Sequence, residues 1–174
     1  MKKAPVKKAV QRAPGKRHAK RTPSLAQLIN SILVPIDFSV HSKNALKYAV
    51  PLARQFDASL HLVYVVEPTI YPADLGFGQV VLPGVEEELR QKGADELRQL
   101  IREEIGTQVR ATYAVKTGTP SQEILTEAEE EKVDMIVVAT HGHSGLEHVL
   151  FGSTAERIVR KARCPVLTIR PMRR

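Results

Sequence analysis

Five short apolar runs, each separated from the next by a stretch of helical periodicity, constrain this chain more than any other feature. Ser31–Asp37, Ala58–Val66, Gln108–Val115, Met135–Ala139 and Pro165–Ile169 read as strands. After the first run Ser39 opens a helix, in which Ala45, Leu46, Ala49, Leu52 and Ala53 recur at spacings of three and four. Pro51 within it predicts a kink or an early end. A second helix is expected from Val85 to about Ile105, with Glu86, Glu87 and Glu88 in the first turn, where the helix dipole favours anions. Thr119-Pro120-Ser121-Gln122 and Ser153-Thr154-Ala155-Glu156 each read as a capping box, opening helices that run to about Glu131 and Lys161. Strands alternating with helices need crossover connections. The fold class is therefore α/β, a parallel sheet with helices on both faces. Met135–Ala139 contains no polar residue and is expected to be buried on both sides.

The charge divides the chain in two. Nine of its 26 Lys and Arg residues fall within the first 30 positions, which hold no acid. The remainder is slightly acidic, so the net charge of +7 belongs to the tail. Residues 1–28 read as a disordered basic tail and residues 29–174 as one domain, the chain being long enough to bury a core. Residues 1–24 carry Pro5, Pro14 and Pro23 and no aromatic residue for base stacking. They predict at most weak, nonspecific contact with nucleic acid or another polyanion, or else a solubilising extension. A transit peptide is disfavoured, because the segment is poor in Ser and poorly amphipathic. No run of 18 apolar residues is present, so no membrane span is expected. The absence of an apolar leader and the single cysteine, Cys164, fit a cytoplasmic protein without a disulfide.

In open parallel sheets ligands bind beyond the carboxyl ends of the strands. The places to inspect follow Asp37, Val66, Lys116 and Ala139. The stretch from Ala139 through Thr140, His141, Gly142, His143, Ser144 and Gly145 to Gly152-Ser153-Thr154 leaves a buried strand and ends at a helix start. Free N–H groups there, with hydroxyls from Ser153 and Thr154, suit an anion such as phosphate. The alternative is a βα loop that uses glycine only for turning, and Glu156 would compete for the same N–H groups. Asp37 could accept from a sugar hydroxyl or a base amino group, or else serve as an N-cap or Asx-turn. His141, His143 and His148 lack the further ligands a metal site needs. His41 and His61 read as surface or strand-face residues. Arg157, Arg160, Lys161 and Arg163 read as a solvated face, and Cys164 as a small buried residue. Neither a Gly-x-Ser-x-Gly elbow nor a Walker loop occurs.

Leu33-Val34-Pro35-Ile36-Asp37-Phe38-Ser39 resembles the opening of a universal stress protein. So do Val65-Val66-Glu67, then Ala139-Thr140-His141-Gly142, and after nine residues Gly152-Ser153, followed by Ala155-Glu156-Arg157 and Cys164-Pro165-Val166. The resemblance covers residues 30–171. It implies a Rossmann-like, five-stranded sheet of order 3-2-1-4-5 and a homodimer paired through the last strand. It also implies ATP as ligand, since Gly142, the nine-residue gap and Gly152-Ser153 follow the pattern of ATP-binding members; Mg is fixed by neither the residues nor the resemblance, though triphosphate binding usually brings it. Ala139 replaces that pattern's first glycine, a substitution tolerated in extended backbone. Carried over, Pro35, Ile36, Asp37, Val65 and Val138 would hold or pack against the adenine. Ala139 and Gly142 would meet ribose and phosphate, and Gly152, Ser153 and Thr154 would cradle the phosphates. The expected role is a nucleotide-dependent stress-response switch and at most a slow ATPase. A nucleotide-free dimeric interaction module, tethered to polyanions by its tail, is the alternative.

Overall fold

The first strand of the computed structural model, β1 (Ser31–Pro35), lies at the centre of a five-stranded parallel sheet. The structure describes residues 28–68, 84–141 and 151–170. Residues 1–27 of the expected tail, most of the 67–84 loop, and Gly142, His143, Ser144, Gly145 and His148 lie outside them. The sheet order is β3-β2-β1-β4-β5, as the resemblance implied. The remaining strands are β2 (Ser59–Val66), β3 (Ala111–Thr117), β4 (Met135–Ala139) and β5 (Val166–Ile169). The helices are α1 (Val40–Phe56), α2 (Val85–Leu100), α3 (Pro120–Glu130) and α4 (Ser153–Lys161).

Alternate strand residues build two apolar layers. Ile32, Val34, Leu60, Leu62 and Val137 face α1 and α2, whereas Leu33, Val63, Ile136 and Val138 face α3 and α4. The central strands are apolar on both faces because helices cover both.

Several boundaries differ from expectation. Helix α1 continues through Pro51 to Phe56. Pro51 sits on the exposed side, where water can satisfy the carbonyl left without a donor. The second helix changes pitch at Ile101. Residues Ile101–Ile105 form a π-helical turn, closed by the Gly106 N–H donating to the Ile101 carbonyl at 2.8 Å. Five-residue spacing returns Ile105 to the buried face that also holds Leu97 and Leu100. Gly106, at φ 57°, ends the turn, and β3 begins at Ala111 rather than Gln108. It runs on to Thr117 because Lys116 and Thr117 still find partners in Val65 and Val66.

Neither expected capping box forms. Thr119 is the N-cap of α3 but makes no side-chain capping bond. Helix α4 starts one residue early, with Gly152 as N-cap and Ser153 as its first helical residue. Glu156 pairs with Arg160 at 2.9 Å, so the carboxylate expected at the helix start is engaged further along α4.

Candidate functional site

The strand order reverses beside β1, whose neighbours are β2 and β4. Their carboxyl ends and the starts of α3 and α4 enclose one cavity of about 480 Å³. That lies within the usual size range of small-molecule sites, about 300–1,000 Å³. Pro35, Ile36, Asp37, Val65, Val138, Ala139, Gly152, Ser153 and Thr154 all line it. Gly142, the remaining sequence candidate, lies outside the described residues.

Asp37 combines both roles read from the sequence. Its Oδ1 accepts from the Ser39 N–H at 3.0 Å and from the Ser39 hydroxyl at 2.6 Å, an Asx-turn. The same residue borders the cavity. Ser39 in turn caps α1, its Oγ accepting from the Ser42 N–H at 3.1 Å. Between them Phe38 occupies the left-handed region at φ 63°, uncommon for a bulky residue. Its ring packs against Tyr64, with centroids 4.9 Å apart.

Tyr64 is a cavity residue that the sequence reading passed over. Burial first, then the carboxylates of Glu96, Asp37 and Glu67, raises its phenol above the ordinary value of 10.0. The hydroxyl therefore stays protonated at neutral pH. The ring fits beneath α2 only because position 93 is glycine. A Cβ there would stand 2.4 Å from Tyr64 Cδ1.

At the opposite wall the Gly152 N–H donates to the Thr140 carbonyl at 2.7 Å, which seats the start of α4 against the end of β4. That N–H is thus committed within the protein. The N–H groups of Ser153, Thr154 and Ala155 precede the first intrahelical bond, from Glu156 N to Gly152 O at 3.0 Å. They and the Ser153 and Thr154 hydroxyls form an anion-accepting end. Gly152 has extended dihedrals (φ −67°, ψ 155°) and needs no glycine for its backbone. A Cβ would meet only the Thr140 oxygen, at an ordinary 3.5 Å. The hydrogen left in place of a side chain instead keeps the cavity wall low. Extended backbone also accommodates Ala139, which is nine-tenths buried.

His141 lines the cavity, its Nδ1 2.9 Å from the Thr140 hydroxyl, and its ring centroid lies 6.1 Å from that of His41. Among the described residues no cluster of three or more His, Cys, Asp or Glu could hold a metal. Arg157 is exposed, as a solvated face implies, and also borders the cavity, whereas Arg160 and Arg163 pair with Glu156 and Glu129. Thr119, Ser121 and Ile124 of α3 complete the wall. The start of α3 was marked for inspection in the sequence without any residue being chosen. Helical spacing from Thr154 could have found Arg157. Burial raises the Cys164 thiol above its ordinary value, which leaves it a packing residue.

His61 departs from the surface alternative. It is buried on the α3 face of β2, with Nδ1 2.7 Å from Thr112 Oγ1 and Nε2 2.7 Å from Glu127 Oε1. Lys116 Nζ lies against the other Glu127 oxygen at 2.5 Å. This network ties α3 to β2 and β3.

Residues 29–170 match the family model described as the universal stress protein family. Universal stress protein MJ0531 of Methanocaldococcus jannaschii is 35% identical over 145 residues, covering 82% of this chain and 83% of that one. Among solved structures, the universal stress protein UspA from Lactobacillus plantarum superposes with a TM-score of 0.69 at 28% identity, covering 82% of this chain and 98% of that one. The Archaeoglobus fulgidus universal stress protein, solved in complex with dAMP, shares the fold at a TM-score of 0.56 and 21% identity, over 81% of this chain and 98% of that one. With the order of its sheet and the full span of its domain matched, the chain belongs to the universal stress protein family.

Proposed function

We propose that the protein binds an adenine nucleotide, ATP in the leading form, in the cavity at the carboxyl end of the sheet, and works as a nucleotide-dependent stress-response switch. One observation carries this reading. Asp37 and Val65 on one wall and the start of α4 on the other border the same cavity, so a hydrogen-bonding end for a base or ribose faces an anion-accepting end. The residues fit the ligand. Low walls at Ala139 and Gly152 leave room for a sugar and phosphates, and Ser153 and Thr154 supply donors. The dAMP bound by the Archaeoglobus relative supports the adenine class. Mg would arrive with the phosphates of ATP, which supply most of its ligands. The described cavity residues offer binding groups rather than an assembled general base, so turnover, where it occurs, is slow.

The family assignment supports a cytoplasmic protein, and no helix among the described residues is long and apolar enough to cross a membrane. A homodimer through β5 completes the reading. Among the described residues β5 pairs only with β4, which leaves its other edge open, with Leu167 of β5 and Val159 of α4 exposed.

The test begins with the protein as purified. Denaturing it should release near-stoichiometric ATP or ADP, identified by chromatography and mass. Gly152→Val should abolish calorimetric binding of ATP with magnesium while the circular dichroism spectrum is kept. Failure of the wild-type protein to bind added nucleotide would favour the nucleotide-free interaction module. Light scattering should give twice the chain mass, and a monomer would overturn the dimer.

A further inference from the structure

We propose that Arg157 is a specificity-determining residue that makes the cavity prefer a polyphosphate chain to a single phosphate. This rests on the nucleotide reading above and adds to it. Arg157 is the one Lys or Arg among the described residues that line the cavity. It stands three residues after Thr154 and four after Ser153, hence on the same face of α4. Side chains on a helix tilt toward its N-terminus, so the guanidinium is carried back toward the N–H groups at the helix start.

Of the neighbouring cations, Arg160 is committed to Glu156 at 2.9 Å and Arg163 to Glu129 at 3.3 Å, and Lys161 does not line the cavity. No ion pair joins Arg157 to another described residue. The cavity's carboxylates, Asp37 and Glu67, follow β1 and β2, the nucleoside side of the site. A phosphate at the start of α4 is satisfied by N–H groups and hydroxyls. Further phosphates extending the chain along the helix need a new cationic partner, and Arg157 supplies one in a planar fork suited to phosphate oxygens. A nucleoside monophosphate seated at the helix start is already held by those N–H groups and hydroxyls, so it gains least from the guanidinium.

The experiment measures calorimetric affinities of the full chain for ATP, ADP and AMP without magnesium. It compares the wild type, Arg157→Gln and Arg160→Gln, which makes the same charge change on the same helix. Arg157→Gln should weaken ATP about tenfold or more, while AMP stays within about twofold. Arg160→Gln should leave the ratio of ATP to AMP affinity unchanged. Equal loss for all three nucleotides, no loss for ATP, or the same shift in Arg160→Gln would overturn the role of Arg157 and leave the nucleotide site standing. Binding of none of the three by the wild type would overturn the nucleotide reading itself, and this inference with it.

Discussion

Glu127 on α3 and His61 on β2 meet at 2.7 Å, Oε1 to Nε2, in the buried layer between helix and sheet. With Lys116 on the other oxygen, the carboxylate is held from two strands. Removing it leaves His61 and Lys116 facing a gap, so Glu127→Ala should cost about 3 kcal/mol, read from urea unfolding at neutral pH. Because Ile124 one turn earlier lines the cavity, the same variant should also loosen that wall and weaken ligand binding.

The same carboxylate sets a pH dependence. Burial pushes the Glu127 carboxyl up, but hydrogen bonds from Lys116 and His61 outweigh it and hold it below its ordinary 4.5. A depressed folded value means that the unfolded chain takes up the proton first as pH falls. The stabilisation is present above pH 4.5 and is lost below it, as pH drops through the folded value. Lys116 is shifted upward, chiefly by its hydrogen bonds to Glu127 and Glu130, so its share is present below 10.5 and lost in stronger alkali. Unfolding curves between about pH 7 and about pH 3 should show a steeper acid loss in the wild type than in Glu127→Gln. Parallel curves would contradict this account.

Gly93 and Tyr64 should behave as one unit. Gly93→Ala places a Cβ 2.4 Å from the Tyr64 ring and is expected to destabilise the protein by about 1–3 kcal/mol, despite the better helix propensity of alanine. In a Tyr64→Ala background the same change should cost nothing or stabilise. A double-mutant cycle by thermal unfolding gives the coupling, and additive effects would refute the contact.

Deleting residues 1–24 removes nine cations. Fluorescence anisotropy with single-stranded RNA at rising salt should show any binding, and its salt dependence, lost with the tail. Affinity for ATP should not change, and a drop would place the tail in the nucleotide site.

Much of this architecture is legible in the sequence because it is local. The apolar runs and their helical spacers predict the parallel sheet, and the strand-end rule gathers Asp37, Ala139 and Gly152 at one end of it. Strand order itself came through the family resemblance. What escaped depends on pairing across the fold. His61 and Glu127 are 66 positions apart and meet only once β2 and α3 are packed. The glycine at 93 gives no sign of the ring it accommodates. The start of α4 was misplaced by one residue because Ser153 and Glu156 satisfy a capping pattern, yet the Gly152 bond to the Thr140 carbonyl fixes the helix start. The π-helical turn is likewise set by burial of Ile105 and not by propensity.

The central position of β1 has a consequence for the order of assembly on the ribosome. β1 is among the first elements to emerge, yet one flank is filled only when Met135 and Ile136 pair with Ile32 and Leu33. Until some hundred further residues have been translated, the hydrogen-bonding edge of β1 on that flank has no strand to pair with. The cavity, walled by β1 and α4 together, is completed only near the end of synthesis, so a chain stopped before α4 has no pocket with which to hold a ligand.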